Sequence, residues 1–455
     1  MIVNRDDGFT DARARRVSVI GAGYVGLPTA AALAHFGHEV AVFDRDRTVM
    51  SAIRAGQSPI VEPGLATLVR EGIASGRLSP SDSLERAVDG SDFVFVCVAT
   101  PPKADGSVDM TFFENAVTQI RPFLAMGATI VNKSTVAVGT AVLVERLIGR
   151  TDVAVVSNPE FLREGSAVRD SLAPNRIVVG SRIRDVAWKV AELFAATNAP
   201  VVVTDSTTAE LIKYAANAFL ATKLSFINTI ASLCDELGLD VDSVIEGVGR
   251  DPRIGFEFLR PGPGWGGSCL PKDAAALVAL ANSVGVKAAI VQAAIGANSD
   301  RMSHVVHRIR AGAGGDLRGK TVGVLGLTFK ALTDDRRNSP ALAITRELAS
   351  AGAIVRAYDP TVTVENAAPD LAHLTICADA YDALDQAEVI AVLTEWPVFE
   401  SLDFSRIRAH VRGPVIVDPR HHLNSAQLGE LGFITDTDSR MDTSVSSAQL
   451  GDGDR

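Results

Sequence analysis

Apolar and polar residues alternate along the first two hundred residues in the pattern of strands followed by helices. The apolar run that begins at Val17 leads through a glycine-rich turn into a helix of small residues, LPTAAALAHFG. Further strands are predicted for HEVAVFD, DFVFVCVAT, ATIVNKST and VAVVSNPE, with helices between them. Such alternation indicates a mostly parallel sheet with helices on both faces. We therefore expect an α/β domain over residues 1–204.

The pattern changes near Asp205, where a long helical segment begins. It runs for more than thirty residues without Pro or Gly until Gly238, which exceeds an ordinary globular helix. The helical pattern continues through AAALVALANSVGV and AAIVQAAIGANSDRMSHVVHRIRAG. We therefore expect a helical middle domain over residues 205–315.

Strand patterns return at KTVGVLGLTFK and predict a second α/β domain over residues 316–435. A helix is predicted from Pro340 to Ser350, and strands for AIVRAYDP, AEVIAVLTEW and GPVIVDPR. The first strand-loop-helix unit of this region resembles that of the first region in position but lacks a full GxGxxG. The predicted fold class is α/β, with two Rossmann-like doubly wound domains joined by a long central helical region. The polar tail over 436–455 is expected to be disordered.

Composition narrows the classes of function. The chain of 455 residues is 47% apolar and 22% charged, which is typical of a globular protein of several domains. Its net charge of −10 argues against a general affinity for nucleic acid or an anionic membrane. No run of 18 apolar residues and no secretory signal is found, and the four cysteines lack metal-site spacing. We expect a cytoplasmic protein without a bound metal.

The turn GAGYVG carries the first candidate binding site. Gly21, Gly23 and Gly26 lie between a strand and a helix, and Asp44 ends the next strand. The glycines permit a tight turn and close approach to a pyrophosphate, whose charge the helix N-terminus favours. An acid at the position of Asp44 can accept hydrogen bonds from the ribose hydroxyls, which favours NAD over NADP. The sequence therefore predicts an NAD site.

The glycine-rich segment GPGWGGSCLPKD carries the most reactive candidate, Cys269, with Lys272 and Asp273 close behind. A free thiol of pKa about 8.5 is mostly protonated at neutral pH, so a nucleophilic cysteine needs a neighbouring cation. This segment offers one. The remaining cysteines are interpreted as packed, unreactive residues: Cys97, Cys234 and Cys377.

Polar residues elsewhere supply further candidates. Lys213 and Asn217 are four residues apart on one helix face, although the pair alone would also suit a solvated face. Glu160 and Glu164 follow a strand end, where α/β sheets build their sites. Lys330 and Arg337 also follow a strand and suit phosphate contacts, whereas the adjacent His421 and His422 are interpreted as loop residues.

The scarcity of lysine sharpens these candidates. Of the 44 Lys and Arg residues only 9 are Lys, yet four of these lie within the few segments that carry candidate chemistry. They are Lys133, Lys213, Lys272 and Lys330. A lysine shifts its pKa readily on burial, and its compact ammonium can stabilise a small oxyanion.

Taken together, these segments resemble the UDP-glucose 6-dehydrogenase family, within the nucleotide-sugar dehydrogenases. The resemblance spans residues 17–423 and includes VATPP, KSTVAVGT, NPEFLREG, IKYAANAFLATK, DPRIG, FLRPGPGWGGSCLPKD and TDDRRNSP. It implies oxidation of the C6 alcohol of a nucleotide-linked hexose to a carboxylate by two molecules of NAD⁺. It also implies a homodimer joined by the central helices.

The resemblance implies a role for each matching catalytic residue. Cys269 would trap the C6 aldehyde as a thiohemiacetal that a second oxidation turns into a thioester. Lys213 and Asn217 would stabilise the oxyanion, and Asp273 would act with Lys213 on water and protons. Glu160 and Thr135 match residues implicated in thioester hydrolysis.

It further implies two sets of binding residues. The NAD site would comprise Gly21, Gly23, Tyr24, Val25, Gly26, Asp44, Thr100, Thr135, Glu164, Lys272 and Arg337. The sugar nucleotide would contact Phe161, Leu162, Arg163, Glu164, Lys213, Asn217, Arg253, Phe258, Leu259, Arg260, Pro261, Gly262, Gly266, Lys330 and Arg420. In this scheme Arg253 is expected to come from the partner subunit.

Three alternatives remain open at this point. The same chemistry could act on dTDP-glucose or GDP-mannose, because residues around C6 do not report the base. A two-electron hydroxyacid dehydrogenase of related architecture would have no need for Cys269. A non-catalytic nucleotide-binding protein would have no need for Lys213 or Asp273 either.

Overall fold

The computed structural model describes residues 13–364 and 369–435, together with the backbone of residues 2–3. Within these residues the chain forms two units. The first unit extends to Ala218 and includes Lys272–Ala288, and the second comprises Phe219–Pro271 and the described residues from Ala289 onward. The tail predicted over 436–455 lies outside the described residues.

Among the described residues, nine strands form the sheet of the first unit. In chain order they are β1 (Ile2–Val3), β2 (Arg16–Ile20), β3 (Glu39–Phe43), β4 (Leu78–Pro80), β5 (Phe93–Val96), β6 (Thr129–Asn132), β7 (Ala154–Ser157), β8 (Ile177–Gly180) and β9 (Val201–Thr204). Their order is β1-β9-β8-β7-β6-β5-β2-β3-β4, and only the β1–β9 and β7–β8 pairs are antiparallel. Six neighbouring strands, β4-β3-β2-β5-β6-β7, have the 3-2-1-4-5-6 order of a dinucleotide-binding fold, as predicted.

Helices cover both faces of this sheet. They are α1 (Gly26–His35), α2 (Arg47–Arg54), α3 (Leu65–Ala74), α4 (Leu84–Val88), α5 (Thr111–Ile120), α6 (Thr140–Ile148), α7 (Ala167–Leu172) and α8 (Arg184–Glu192). Strand β5 shows why, because Phe93 and Phe95 pack into one apolar core while Val94 and Val96 pack into another on the opposite face. Side chains alternate across a strand, so a fully apolar strand needs cover on both sides.

Four helices form the central part of the chain: α9 (Ser206–Leu237), α10 (Val241–Gly249), α11 (Leu270–Ser283) and α12 (Ala289–Gly312). Helix α9 is 32 residues long, as its uninterrupted pattern predicted, and ends before Gly238, which has a φ of 64°. Between α10 and α11 the chain is not helical and forms the glycine-rich loop.

In the described part of the second unit, six strands form a parallel sheet. They are β10 (Thr321–Leu325), β11 (Ile354–Tyr358), β12 (Thr375–Ile376), β13 (Val389–Val392), β14 (Val415–Val417) and β15 (Ile434–Thr435). Their order is β12-β11-β10-β13-β14-β15, again 3-2-1-4-5-6. Four helices accompany them: α13 (Pro340–Ser350), α14 (Ala380–Leu384), α15 (Phe404–His410) and α16 (Ser425–Glu430). The bounds of α13 coincide with the prediction, and two Rossmann-like sheets are confirmed.

Short 3-10 helices add to these elements at Arg121–Phe123, Ala195–Thr197, Pro369–Leu371 and Pro397–Ser401. Among the described residues, no helix combines the length and apolar character that crossing a membrane requires.

Candidate active site

The turn after β2 leaves open space at one glycine only. A Cβ on Gly21, whose φ is 96°, would lie 2.5 Å from the carbonyl oxygen of Cys97, and one on Gly26 would lie 1.8 Å from that of Gly21. A Cβ on Gly23 would meet nothing within 4 Å. The first and last glycines are therefore required by packing, whereas the middle one faces room for a ligand.

Asp44 lies directly beside this turn. Its Oδ2 accepts a hydrogen bond from the backbone N–H of Ala22 at 2.8 Å, and its Oδ1 accepts one from that of Asp46 at 2.9 Å. The carboxylate is half-buried, and Tyr24 and Val25 continue the turn into α1. An open glycine turn with an acid at its side fits a dinucleotide with ribose hydroxyls.

Thr100 and Thr135 meet at the carboxyl edge of the same sheet, beyond β5 and β6. The Thr100 hydroxyl donates to the carbonyl oxygen of Thr135 at 2.8 Å. Thr100 is buried and Thr135 is half-buried. Two residues predicted to contact NAD are thus brought together.

A buried ion pair lies beyond β7. The Lys213 Nζ donates to Glu160 Oε1 at 2.7 Å, and the backbone N–H of Leu162 donates to Glu160 Oε2 at 2.6 Å. Burial alone would raise the pKa of Glu160, but Lys213, the Leu162 N–H and Lys133 together bring this pKa below its usual value. Glu160 and Glu164 lie on an irregular segment before α7, so they are not stacked on a helix. Glu160 is therefore held as a carboxylate.

A second polar cluster joins α9 to α11. The Asn217 Nδ2 donates to Asp273 Oδ2 at 2.6 Å, and Lys272 Nζ donates to Asp273 Oδ1 at 2.6 Å. Asp273 is fully buried and Asn217 is buried. The helix face of Lys213 and Asn217 is thus an interior polar face, not a solvated one.

The segment after Glu160 is tied to its surroundings. The Phe161 ring lies near two cations, with Arg176 Cζ 3.7 Å and Lys213 Nζ 5.5 Å from the ring centroid. Arg163 donates from Nε and Nη2 to Asp170 at 2.9 and 2.7 Å. Glu164 is half-buried.

The cysteine loop belongs to the second unit. Its backbone is held at Gly262, whose N–H donates to Asn228 Oδ1 at 2.8 Å and whose carbonyl accepts from Arg301 Nε at 2.9 Å. The N–H and carbonyl of Trp265 are both bonded to the Asn298 amide, at 2.8 and 3.0 Å. Buried side chains from α9 and α12 therefore fix the shape of this loop.

The remaining loop residues vary in exposure. Leu259 and Pro261 are buried, Arg260 is exposed, and Phe258 has a φ of 59°. A Cβ on Gly266 would lie 2.1 Å from the carbonyl oxygen of Asn338, so this position tolerates only glycine.

Cys269 directly precedes the first residue of α11 and is half-buried, with its Sγ 3.5 Å from Ser268 Oγ. A helix N-terminus favours negative charge, including that of a thiolate. The other three cysteines are buried. Burial raises the pKa of Cys97 to about 12 and that of Cys377 to about 11, so both remain thiols at neutral pH.

Cations of the second unit contact nearby acids. Arg337 donates to both oxygens of Asp335, at 2.8 and 2.7 Å. Arg420 lies 2.9 Å from Glu395 Oε2 through Nη1 and also donates to two backbone carbonyls. Lys330 is half-buried.

Arg253 is largely exposed and pairs with Asp251 at 2.6 Å. His421 and His422 lie in the loop after β14, as interpreted from sequence. Among the described residues, no group of three His, Cys, Asp or Glu could hold a metal ion.

Sequence reasoning missed the residues that hold the candidates in place. These include Asn158, Arg176, Asn228, Asn298, Arg301, Asp335 and Glu395. Asn158 and Glu395 had a sequence signal, because each lies at the end of a predicted apolar strand, and Asp335 lies within the motif TDDRRNSP. The others have the pattern of ordinary polar surface.

The fold and these sites define the class: an NAD-type dehydrogenase built from two Rossmann-like sheets, with a cysteine in its glycine-rich loop. Models of the UDP-glucose/GDP-mannose dehydrogenase family match residues 15–198 as the NAD binding domain, 207–300 as the central domain and 323–425 as the UDP binding domain. The chain belongs to the UDP-glucose/GDP-mannose dehydrogenase family, and the predicted family and enzyme class are confirmed.

Individual relatives agree over nearly the whole chain. The UDP-glucose 6-dehydrogenase of Rhizobium meliloti is 44% identical over 428 residues, which cover 92% of this chain and 98% of the relative. UDP-glucose 6-dehydrogenase TuaD of Bacillus subtilis is 40% identical and covers 92% of both chains. The solved structure of a UDP-glucose dehydrogenase from the hyperthermophilic archaeon Pyrobaculum islandicum is similar with a TM-score of 0.84, at 38% identity, over 93% of this chain and 98% of that one.

Proposed function

We propose that the protein oxidises UDP-glucose at C6 to UDP-glucuronate with two molecules of NAD⁺. The observation that carries the proposal is the state of the four cysteines, all of which lie in the described part of the chain. Three are buried, whereas Cys269 is half-buried at the N-terminus of α11. A thiol in that state suits an enzyme that must convert an aldehyde into an acid.

The chemistry explains why a thiol is needed. Oxidation of the alcohol removes a hydride from C6 and a proton from the hydroxyl, which leaves an aldehyde. An aldehyde has no further hydride to give until a nucleophile adds to its carbon, so the Cys269 sulfur forms a C–S bond and gives a thiohemiacetal. Loss of a second hydride from C6 and of the hydroxyl proton gives a thioester. Water then adds to the thioester carbon and the C–S bond breaks, which releases the carboxylate and frees the Cys269 sulfur. NAD, when bound, supplies the hydride acceptor for both oxidations.

The polar groups of the first unit support the proton transfers. Lys213 and Asn217 would donate to the C6 oxygen as it gains negative charge, and Asp273 would hold water through its hydrogen-bonded carboxylate. Glu160, ionised by its pairing with Lys213, would accept a proton from water during thioester hydrolysis, a step in which the resemblance also implicates Thr135.

The binding residues are proposed as the resemblance implies them. The open space at Gly23 and the acid of Asp44 support NAD in the first unit. In the second unit Lys330 and Arg420 would contact the diphosphate of the sugar nucleotide, for which Arg420 would exchange its contact with Glu395. We also retain the domain boundaries 1–204, 205–315 and 316–435 and a cytoplasmic location as proposals.

A homodimer forms part of the proposal. Phe219, Phe226, Leu233 and Leu237 are exposed on the second-unit part of α9. The first three are seven residues apart and therefore share one face of the helix. Phe226→Lys is expected to convert the dimer into a monomer in size-exclusion chromatography with light scattering. Met126→Lys, at an exposed residue of the first unit, is the matched control and should leave the dimer intact.

The function is tested by the yield of NADH per sugar across four substrates: UDP-glucose, dTDP-glucose, GDP-mannose and UDP-N-acetylglucosamine. UDP-glucose should give two equivalents of NADH and the highest kcat/KM. One equivalent would instead indicate a two-electron dehydrogenase, and binding without turnover a non-catalytic protein. Cys269→Ser should abolish acid formation, whereas the control Cys234→Ala, at a buried cysteine of α9, should still give two equivalents.

A further inference from the structure

Lys133 is the only one of the four lysines in the motif segments that receives no role from the family resemblance. It is buried directly after β6, where its Nζ donates to Asn158 Oδ1 at 3.0 Å and lies 5.2 Å from the centroid of the Phe194 ring. Among the described residues, no carboxylate lies within 4.0 Å of this ammonium. A buried cation without a carboxylate partner is costly and is seldom retained for packing alone.

Asn158 links Lys133 to the segment that carries Glu160. The parallel β6 and β7 end side by side, and the Asn158 N–H donates to the carbonyl oxygen of Asn132 at 2.9 Å. The Asn158 side chain accepts from Lys133 and donates to the carbonyl oxygen of Val178 at 2.7 Å, which fixes its orientation. Since Glu160 is two residues further on, the ammonium and the carboxylate lie at the same sheet edge.

Several titratable groups face this pair. Lys213, on α9, pairs with Glu160 directly, and Cys97, after β5, is a neutral thiol because burial raises its pKa to about 12. Burial lowers the pKa of Lys133 to about 8, a shift that Lys213 reinforces and Glu160 opposes.

We propose that Lys133, held by Asn158 at the sheet edge that carries Glu160, is a positioning residue whose charge sets the basicity of Glu160 during thioester hydrolysis. The lowered pKa of Lys133 makes this charge dependent on pH. The inference rests on the proposed function. In that step water forms a bond to the thioester carbon, its proton passes to Glu160, and the C–S bond breaks to return the Cys269 thiolate. A charged Lys133 makes Glu160 a weaker base, whereas a neutral Lys133 makes it a stronger one.

Two variants separate the charge of Lys133 from its titration. Lys133→Met is always neutral and Lys133→Arg is always charged in this range. We expect the hydrolysis rate of wild-type protein, measured as decay of the acyl-enzyme in single-turnover experiments, to show an inflection near pH 8 that both variants lose. The acidic limb of the pH–rate profile should move to higher pH by about one pH unit in the Met variant only. The reason is that the loss of a nearby cation raises the pKa of the Glu160 carboxyl group.

A structural role for Lys133 would predict a different result, namely an equal loss of rate at every pH. That result, or an inflection that persists in both variants, would overturn the proposal. If Lys133→Met does not fold, Asn158→Asp gives the same test, because a carboxylate beside Lys133 should move the wild-type inflection to higher pH. Lys103→Met, at an exposed lysine, is the control and should keep the wild-type profile.

A readout without substrate distinguishes this inference from the proposed function. Because the pKa of Lys133 is lowered on folding, the unfolded chain binds more protons between about pH 8 and pH 10. Wild-type protein should therefore gain thermal stability relative to Lys133→Met as the pH rises through this range. A Tm difference that is constant with pH would contradict the inference even in an active enzyme. Absence of turnover in wild-type protein would contradict the proposed function alone.

Discussion

In each of the two sheets a glycine directly follows the strand at position 1 of the 3-2-1-4-5-6 order. Its N–H donates at 2.8 Å to the last carbonyl oxygen of the neighbouring strand at position 2. These glycines are Gly21 after β2 and Gly326 after β10. The neighbouring strand is in both cases followed at once by an aspartate, Asp44 in the first unit and Asp359 in the second, which accepts from backbone N–H groups of the turn. The local plan of strand, glycine turn and acid is the same.

The two turns differ in what occupies the space above them. Two residues after the first glycine, the first unit has Gly23, which faces open space, and the second has Thr328, which is fully buried and donates to Asp359 at 3.2 Å. Asp359 is fully buried as well and also accepts from the Trp396 indole. One turn can therefore bind a ligand, whereas the other has become part of the core.

The largest effect should come from Asp359→Asn. The Asp359 carboxylate accepts from six donor groups, and the change replaces one of its two acceptor oxygens with an NH2 group that cannot accept. We therefore expect a loss of about 3 kcal/mol in the free energy of unfolding. Chemical denaturation with both variants provides the measurement. The matched change Asp44→Asn should cost less than about 1 kcal/mol and instead weaken NAD binding. Equal losses of stability in the two variants would remove the distinction between the turns.

A smaller effect is expected at Asp235 in the second unit, which is nearly buried against Arg301, Arg308 and His304. Burial opposes its ionisation, but the hydrogen bond from His304 and the two arginines lower its pKa from 3.8 to about 2. The ion cluster therefore contributes about 2 kcal/mol above pH 4 that is lost as the pH falls towards 2.

Asp235→Asn tests this contribution in urea titrations at several pH values. Wild-type protein should be more stable than the variant at pH 7, and the difference should shrink below pH 4. A difference that is independent of pH would show that the loss comes from packing.

The smallest effect should come from Gly23→Ala. A methyl group there meets no protein atom, so the Tm should stay unchanged, while the KM for NAD rises about tenfold because the backbone can no longer approach a pyrophosphate. The matched change Gly326→Ala should lower the Tm, because its Cβ would lie 2.4 Å from that of Thr394. An unchanged KM in Gly23→Ala would place the dinucleotide elsewhere.

Sequence patterns predict the helices and strands whose residues show a local periodicity. The length of α9 follows from a run without Gly or Pro, and the bounds of α13 follow from Pro340 at its start and Gly352 just after its end. The α/β alternation follows from apolar strands. Strands β12 and β15 have two residues each, too few to show a period. The ion pair of Glu160 with Lys213 joins residues 53 apart in the sequence. The hydrogen bond from Arg301 to the Gly262 carbonyl joins residues 39 apart. No local pattern encodes such pairs, so they require the fold.

The indole of Trp265 makes the cysteine loop observable by spectroscopy. It is buried four residues before Cys269 and donates to Ser225 Oγ at 2.8 Å, so a change in loop shape would alter the polarity around it. The chain contains two other tryptophans, Trp188 and Trp396. The Trp396 indole donates to Asp359 and therefore reports on the turn after β10. Intrinsic fluorescence of single-tryptophan variants can therefore follow the cysteine loop and the turn after β10 separately, without an added label.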